Sequence, residues 1–297
     1  MSSPVADPDY FISDENWERK FGQAASASIP SYIYLRGANL GQATKGELYL
    51  YYTAPSLILW PSAWSKNLLQ TSRGNPSYDF SVAAGARLVT QDPFLWIPEP
   101  IQGDQYSLIG CVVTPKHPNP IPEDGSITSF AKYISDHPDM AWRNEVTADP
   151  SSPVISRTVE YSQGDRGAET IILITAEHAP VGSLVSFSAG TPGPNPPLVL
   201  DPVTISNNIK FSAGVTSYIP AQYSTLLTYS WYSNGKTPLP GMTFVLSAYI
   251  PVNSSSELYD RARDLRELGV PAEVIGACGG MGPLRAICLG TDTMVFP

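Results

Sequence analysis

The sequence predicts an all-β protein made of two β-sandwich domains with two short helices. The first observation is composition: only 15% of the 297 residues are charged, whereas Pro (29), Gly (23) and Tyr (16) are plentiful, which favours sheets and turns over a helical bundle. The second is pattern, because short aromatic and aliphatic runs alternate with Gly, Pro and Asn turns along most of the chain. The third is length, which suits two domains of ordinary size.

The first domain is predicted to span residues 29–148, after an N-terminal arm at 1–28 that carries a short edge strand around 10–12. Two strands rich in aromatic residues flank a Gly/Asn turn at 37–41 and open this domain. Its strands are predicted at 31–36, 46–52, 86–90 and 106–114.

A short helix is predicted late in this domain, at residues 126–135. Ile127, Phe130, Ala131 and Ile134 recur at helical spacing, and the helix is expected to end before Pro138.

Two stretches of the first half resemble signatures of a known family. Residues 34–41 contain an Arg-Gly-x-Asn-x-Gly pattern, and residues 139–146 contain Ala-Trp-Arg-Asn; both are similar to stretches that open and close bacterial Ig-like modules of the cell-adhesion-related (CARDB-like) kind. The chain departs from that pattern at 136–139, where the family more often has asparagines, and through the helix at 126–135. The resemblance implies immunoglobulin-like sandwiches in a bacterial protein, and it implies no catalytic residue.

The second domain is predicted to span residues 149–297 and to repeat the same architecture, so the fold expected is two tandem immunoglobulin-like β-sandwiches. From 254 to 268 the apolar period changes to that of an α-helix, which Gly269 would end, and a Gly-rich tail follows. Its strands are predicted at 155–161, 170–175, 183–188, 208–213, 225–232, 242–250 and 285–289.

The net charge of −9 and the lack of any basic stripe argue against binding to nucleic acid or to anionic lipid. The N-terminus has neither the basic nor the apolar region of a secretory signal peptide, and no run approaches the roughly 18 apolar residues of a membrane span. We therefore expect a protein made in the cytoplasm, without stable membrane insertion, that could be secreted by a route without a cleaved Sec signal.

The three cysteines, Cys111, Cys278 and Cys288, form neither a disulfide framework nor a metal motif. Cys111 and Cys288 lie in apolar runs and are expected in cores. The sequence allows a bridge between Cys278 and Cys288 but does not show one.

Catalytic and metal-binding patterns are also missing from the sequence. The three histidines, His117, His137 and His178, have no metal-ligand spacing. His137, beside Asp136 and Asp139, could serve as a base or ligand, or could be a hydrogen-bonded turn residue. The acidic residues of the N-terminal arm could bind Ca²⁺ or be solvated charges. The Gly-rich stretch at 276–282 lacks the ending of a phosphate-binding loop. We predict no catalytic residue, no metal and no cofactor. The acidic residues of the arm are Asp7, Asp9, Asp14 and Glu15.

Aromatic residues provide the candidate binding site. They bury a large area at low entropic cost, and so suit binding surfaces. Alternation along residues 49–52 places Tyr49 and Tyr51 on one face and Leu50 and Tyr52 on the other. Core packing is the alternative role for the tryptophans. The predicted binding residues are Tyr49, Tyr51, Trp64 and Trp96.

Three functions are consistent with these observations. The first is a non-enzymatic module that binds a protein or glycan partner and could be exported or injected. The second is a secreted effector or toxin component that acts on target-cell membranes, with the Gly-rich tail able to rearrange. The third is a hydrolase with an unusual site around Asp136, His137 and Asp139. We prefer the first, because no known catalytic motif is present.

Overall fold

The computed structural model describes residues 3–19, 21, 28–99, 106–123, 125–137, 139–148, 152–278 and 285–296. It confirms the all-β fold class, since nearly every regular element is a strand and the α-helices are short. The chain divides into two units whose segments interleave in sequence. Unit 1 comprises Met1–Ala54, Pro61–Ile121 and His137–Arg143, and unit 2 comprises Pro55–Trp60, Pro122–Asp136 and Asn144–Pro297.

Unit 1 is an antiparallel β-sandwich. One sheet has the strand order β5-β3-β8-β9 and another has the order β1-β7-β4, while β2 and β6 form a separate pair. The strands are β1 (Ser31–Ile33), β2 (Arg36–Ala38), β3 (Thr44–Thr53), β4 (Gln70–Thr71), β5 (Tyr78–Val82), β6 (Arg87–Val89), β7 (Phe94–Trp96), β8 (Ser107–Val113) and β9 (Ala141–Arg143), and one short helix is α1 (Pro61–Trp64).

The core of unit 1 lies between β3 and the sheet that contains β7. Leu50 of β3 packs with Leu69, Phe94 and Trp96, and all four side chains are buried. Alternation along β3 decides which residues reach this core, because successive side chains of a strand point to opposite faces.

Unit 2 is a second sandwich, made of a six-stranded and a four-stranded sheet. The strand orders are β10-β19-β17-β12-β15, with β18 also paired to β19, and β11-β16-β13-β14; the β10–β19 pair is parallel and the others are antiparallel. The strands are β10 (Glu145–Thr147), β11 (Val154–Ser162), β12 (Ala168–Glu177), β13 (Leu184–Ala189), β14 (Val199–Thr204), β15 (Lys210–Ile219), β16 (Ser224–Tyr232), β17 (Thr243–Val252), β18 (Arg263–Asp264) and β19 (Arg285–Val295), and the helices are α2 (Ile127–Asp136) and α3 (Ala272–Ala277).

Aromatic side chains fill the space between the two sheets of unit 2. The ring of Trp231, on β16, lies 6.2 Å from that of Phe244 on β17 and 5.6 Å from that of Phe296, which follows β19. All three side chains are almost fully buried. Buried apolar residues of β16 and β17 thus meet between the two sheets.

The helix predicted around residues 126–135 is confirmed as α2. Its first hydrogen bond runs from the amide of Phe130 to the carbonyl of Ser126, at 2.9 Å. Ile127, Phe130 and Ala131 are buried, as their helical spacing indicates.

The helix predicted over residues 254–268 is wrong. That segment contains turns, a 3₁₀ helix at Tyr259–Arg261 and β18, and the α-helix α3 begins only at Ala272. Pairing of Arg263 with Ala286 in β19 outweighs the helical pattern, while Leu258 and Leu265 are still buried. Such short amphipathic patterns are decided by tertiary packing. The glycines at 279, 280 and 282 lie outside the described residues.

The edge strand predicted around residues 10–12 is also wrong, because a 3₁₀ helix occupies Pro8–Ile12. Pro8 sets a helical φ at the first turn, and the carboxylate of Asp7 accepts a hydrogen bond from the amide of Asp9. Phe11 is buried, its ring 5.4 Å from that of Tyr34.

Candidate functional site

Unit 1 contains a cavity of about 510 Å³ beside β4 and β7. Its wall is formed by Tyr52 at the end of β3, Trp96 at the end of β7 and Tyr106, which immediately precedes β8. We call this site the aromatic cavity. Its volume lies within the range of about 300–1,000 Å³ that is usual for small-ligand sites.

The three rings of the wall contact one another. The centroids of Trp96 and Tyr106 are 5.0 Å apart with an interplanar angle of 84°, and those of Tyr52 and Tyr106 are 5.7 Å apart at 73°. The Tyr52 and Trp96 rings lie 5.6 Å apart. Edge-to-face contacts of this kind are favourable, so the three rings stabilise one another in this arrangement.

Strand alternation explains why these rings meet. Leu50 and Tyr52 point to the same face of β3, so Tyr52 continues the row of side chains that packs on Leu69 and Trp96. Pairing with two neighbouring strands holds Trp96 in place. Strand β7 pairs with Ser31 of β1 and with Gln70 and Thr71 of β4.

Polar groups surround the opening of the aromatic cavity. Gln70, Ser72 and Glu99 are exposed and line it, whereas no lysine or arginine does so in the part of the chain that the structure describes. The Ser72 hydroxyl donates to the carboxylate of Asp92. The cavity therefore combines an apolar wall with a rim of hydrogen-bond acceptors and one carboxylate.

Tyr106 joins the wall to the rim. Its hydroxyl donates to the backbone carbonyl of Glu99 at 3.0 Å. Burial, with further contributions from Glu99 and Tyr52, raises the pKa of the Tyr106 phenol. The phenol therefore stays protonated at neutral pH and keeps this donation.

Of the four predicted binding residues, Trp96 is the one that lines the aromatic cavity. Tyr51 lies on the opposite face of β3, where its ring packs 5.1 Å from that of Trp64 in α1, and both side chains are buried. The expectation of an exposed platform that includes them is therefore wrong, because both faces of β3 are covered within unit 1. Trp64 therefore has the alternative role, packing in the core.

Tyr49 is half-buried and lies outside the aromatic cavity. Its hydroxyl donates to Glu47 at 3.0 Å, and the hydroxyl of Ser77 donates to the other oxygen of that carboxylate at 3.2 Å. Burial and then Glu47 raise the pKa of Tyr49. A binding role for Tyr49 stays a prediction.

The residues of the site that the sequence did not indicate include Tyr52, Gln70, Glu99 and Tyr106. Tyr52 had a usable signal, since alternation places it with Leu50 on the face that carries the core. Gln70 lies on β4, whereas Glu99 and Tyr106 lie in the connection between β7 and β8, and only the folded chain brings these two segments together.

The candidate hydrolase residues are engaged in ordinary contacts. Asp139 accepts a hydrogen bond from the Asn119 side chain at 2.9 Å. Burial lowers the pKa of His137, although Asp139 raises it in part. In unit 2, Asp136 pairs with Arg261 and, at 3.6 Å, with Lys132.

Several acidic residues of the N-terminal segment also have protein partners. Asp14 lies 2.7 Å from Arg87, and Asp9 accepts from Gln91 at 2.7 Å. Among the described residues there is no group of three or more His, Cys, Asp or Glu side chains that could hold a metal ion. All three cysteines are free thiols, so the optional Cys278–Cys288 bridge is not formed in this structure.

The part of the chain that the structure describes contains no helix that is both long and apolar enough to cross a membrane.

Comparison with known proteins identifies no family. No protein-family model matches the chain, and no curated protein matches it. A structure titled "Crystal structure of CBD12 from CALX1.2" aligns over 89% of this chain and 92% of its own, with 10% sequence identity and a TM-score of 0.18. A likeness at that TM-score supports no inference, so the fold assignment depends on the strands and sheets described above.

Proposed function

We propose that this protein is a non-enzymatic binding module that holds a protein or glycan partner at the aromatic cavity of unit 1. One observation carries the proposal: a cavity of about 510 Å³ has a wall of three mutually packed aromatic rings and a polar rim. Preformed apolar cavities with a few polar groups at the opening are typical of binding sites, and aromatic anchors often supply much of the binding free energy.

A capture experiment that compares the wild-type protein with a variant of the aromatic cavity tests this proposal. Wild-type protein and a Tyr106→Ala variant would each be immobilised and exposed to lysate of the source organism and of a target cell. Tyr218→Ala is the matched control, because Tyr218 is 57% exposed on β15 of unit 2. Bound proteins would be read by mass spectrometry and bound glycans by released-glycan analysis.

A partner retained by wild type and by Tyr218→Ala but lost from Tyr106→Ala would support the proposal. A partner retained equally by all three proteins would place binding elsewhere and overturn it.

A bacterial origin, export without a cleaved signal and an effector role at target-cell membranes stay predictions of the sequence. Release of a dye from liposomes by the purified protein would support the membrane role.

A further inference from the structure

We infer that the aromatic cavity accepts the side chain of an arginine or lysine presented by a protein partner. This inference depends on the proposed function, and it selects one ligand class for that site.

Charge is the first argument. Glu99 supplies a carboxylate at the rim, and the described residues that line the cavity include no basic side chain to offset it. The whole chain carries 27 acidic against 18 basic residues. An acidic surface attracts basic partners over distances up to the Debye length and repels acidic ones.

The shape of the wall is the second argument. Trp96 is only 7% exposed, and Tyr106 packs against it at 84°. Stacking of a sugar ring needs an open aromatic face, which Trp96 does not offer. A slender methylene stem needs only the narrow apolar surface left by Leu69, Tyr52 and Tyr106, and long basic side chains commonly lay their stems along such surfaces.

The rim is the third argument. Past the apolar wall, a guanidinium or ammonium would meet Glu99, Gln70 and Ser72, which are exposed residues that line the cavity. These groups can accept hydrogen bonds from a cation that carries only donors. The partly exposed rings of Tyr52 and Tyr106 add cation–π attraction.

Titration by nuclear magnetic resonance tests the inference on the full chain. The probes are N- and C-terminally capped tripeptides Gly-Xaa-Gly in which Xaa is arginine, lysine, norleucine or glutamate, with maltose as a neutral sugar. The signals followed are the indole N–H of Trp96 and the backbone amides of Gln70 and Ser72. Glu99→Gln removes the rim charge, and Glu160→Gln, on an exposed residue of unit 2, is the matched control.

We expect the arginine and lysine peptides to shift these signals and to bind more weakly at high salt. Glu99→Gln should weaken their binding by about threefold to fivefold, as for an exposed ion pair, and Glu160→Gln should leave it unchanged. Equal shifts with norleucine, or shifts only with maltose or the glutamate peptide, would overturn the inference while leaving a binding site in place. No shift with any probe would overturn both this inference and the proposed function.

Discussion

Arg157 and Asp292 form a buried ion pair that joins the two sheets of unit 2. The Nε of Arg157, on β11, lies 2.6 Å from Oδ2 of Asp292 on β19, and Nη2 lies 3.0 Å from Oδ1. The hydroxyl of Tyr229 donates to the same carboxylate at 2.8 Å. The Asp292 side chain is 0% exposed and that of Arg157 is 8% exposed.

Burial and the contacts within this cluster determine the protonation states of Arg157 and Tyr229. Burial alone would lower the pKa of Arg157, but the bonds to Asp292 outweigh it and raise the pKa. Burial, followed by the charge of Asp292, raises the pKa of Tyr229 well above its usual value. The arginine therefore stays charged and the tyrosine neutral at physiological pH.

Asp292→Ala is predicted to destabilise unit 2 strongly. It leaves the Arg157 charge buried without its partner, which costs about 3–5 kcal/mol in comparable cases. Urea unfolding followed by circular dichroism measures the loss in the free energy of unfolding. The double variant Arg157→Met with Asp292→Leu should recover most of that loss, because two apolar residues leave no buried charge. A loss below about 1 kcal/mol for Asp292→Ala would contradict this account of the pair.

Gly290→Ala is predicted to destabilise unit 2, since a Cβ at this position would overlap the carbonyl oxygen of Leu57. Overpacking of this kind typically costs about 1–3 kcal/mol. Gly276→Ala is the matched control: it lies in α3, where an added Cβ would meet no other atom within 4 Å, and it should be neutral or stabilising by up to about 1 kcal/mol. Thermal unfolding of both variants tests this prediction. Equal melting temperatures for Gly290→Ala and Gly276→Ala would refute it.

Glu169→Gln is predicted to change the pH dependence of stability. Burial raises the pKa of Glu169, and a weaker effect of the Cys278 thiol opposes it only in part. Oε1 of Glu169 is buried without a hydrogen-bond partner among the described residues. The folded state therefore holds the proton more tightly than the unfolded chain does, and this stabilisation is lost as pH rises through the folded-state pKa.

The glutamine variant is neutral at all pH values, so its free energy of unfolding should match that of wild type near about pH 4 and exceed it near about pH 7. Denaturant unfolding at both pH values gives the two differences. Glu160→Gln, on an exposed residue of β11, should show no such change. If the difference in free energy of unfolding between Glu169→Gln and wild type were the same at both pH values, the assigned pKa shift would be wrong.

Arg36→Ala is predicted to release the N-terminal segment from unit 1. The Arg36 guanidinium donates to the backbone carbonyls of Phe11, Asn16 and Arg19 at 2.7, 3.1 and 2.6 Å, and lies 5.3 Å from the Trp17 ring. Charge-assisted hydrogen bonds contribute roughly 1.5–3 kcal/mol each. Amide hydrogens of residues 9–19 should therefore exchange at least about tenfold faster in the variant.

Hydrogen-exchange mass spectrometry measures this effect. Arg166→Ala, on an exposed residue of unit 2, serves as the control. Unchanged exchange in the N-terminal peptide of Arg36→Ala would show that other contacts hold the segment.

Local patterns predicted much of this fold because they coincide with the final packing. The alternation along β3 correctly separates Tyr49 and Tyr51 from Leu50 and Tyr52, and helical spacing locates α2. The segment at 254–268 shows the limit: its helical pattern is real, but pairing with β19 determines the backbone. Tertiary hydrogen bonding of this kind has no local signature.

The candidate site was harder to predict than the fold. Residue type predicted both Trp96 and Trp64 as binding residues, yet both are buried, and of the two only Trp96 lines the aromatic cavity. Whether an aromatic residue lines a cavity depends on what covers each face of its strand, and that requires the sheet order. Gln70, on β4, lines the aromatic cavity together with Glu99 and Tyr106, which belong to the connection between β7 and β8.

Site-specific photo-crosslinking tests the central claim most directly. A benzophenone amino acid would be placed at position 106 in one protein and at position 218 in another, and each would be irradiated in lysate of the source organism. We predict a discrete crosslinked partner from position 106, competed by excess wild-type protein, and none from position 218. Crosslinks from position 218 with none from position 106 would contradict the assignment of the aromatic cavity as the binding site.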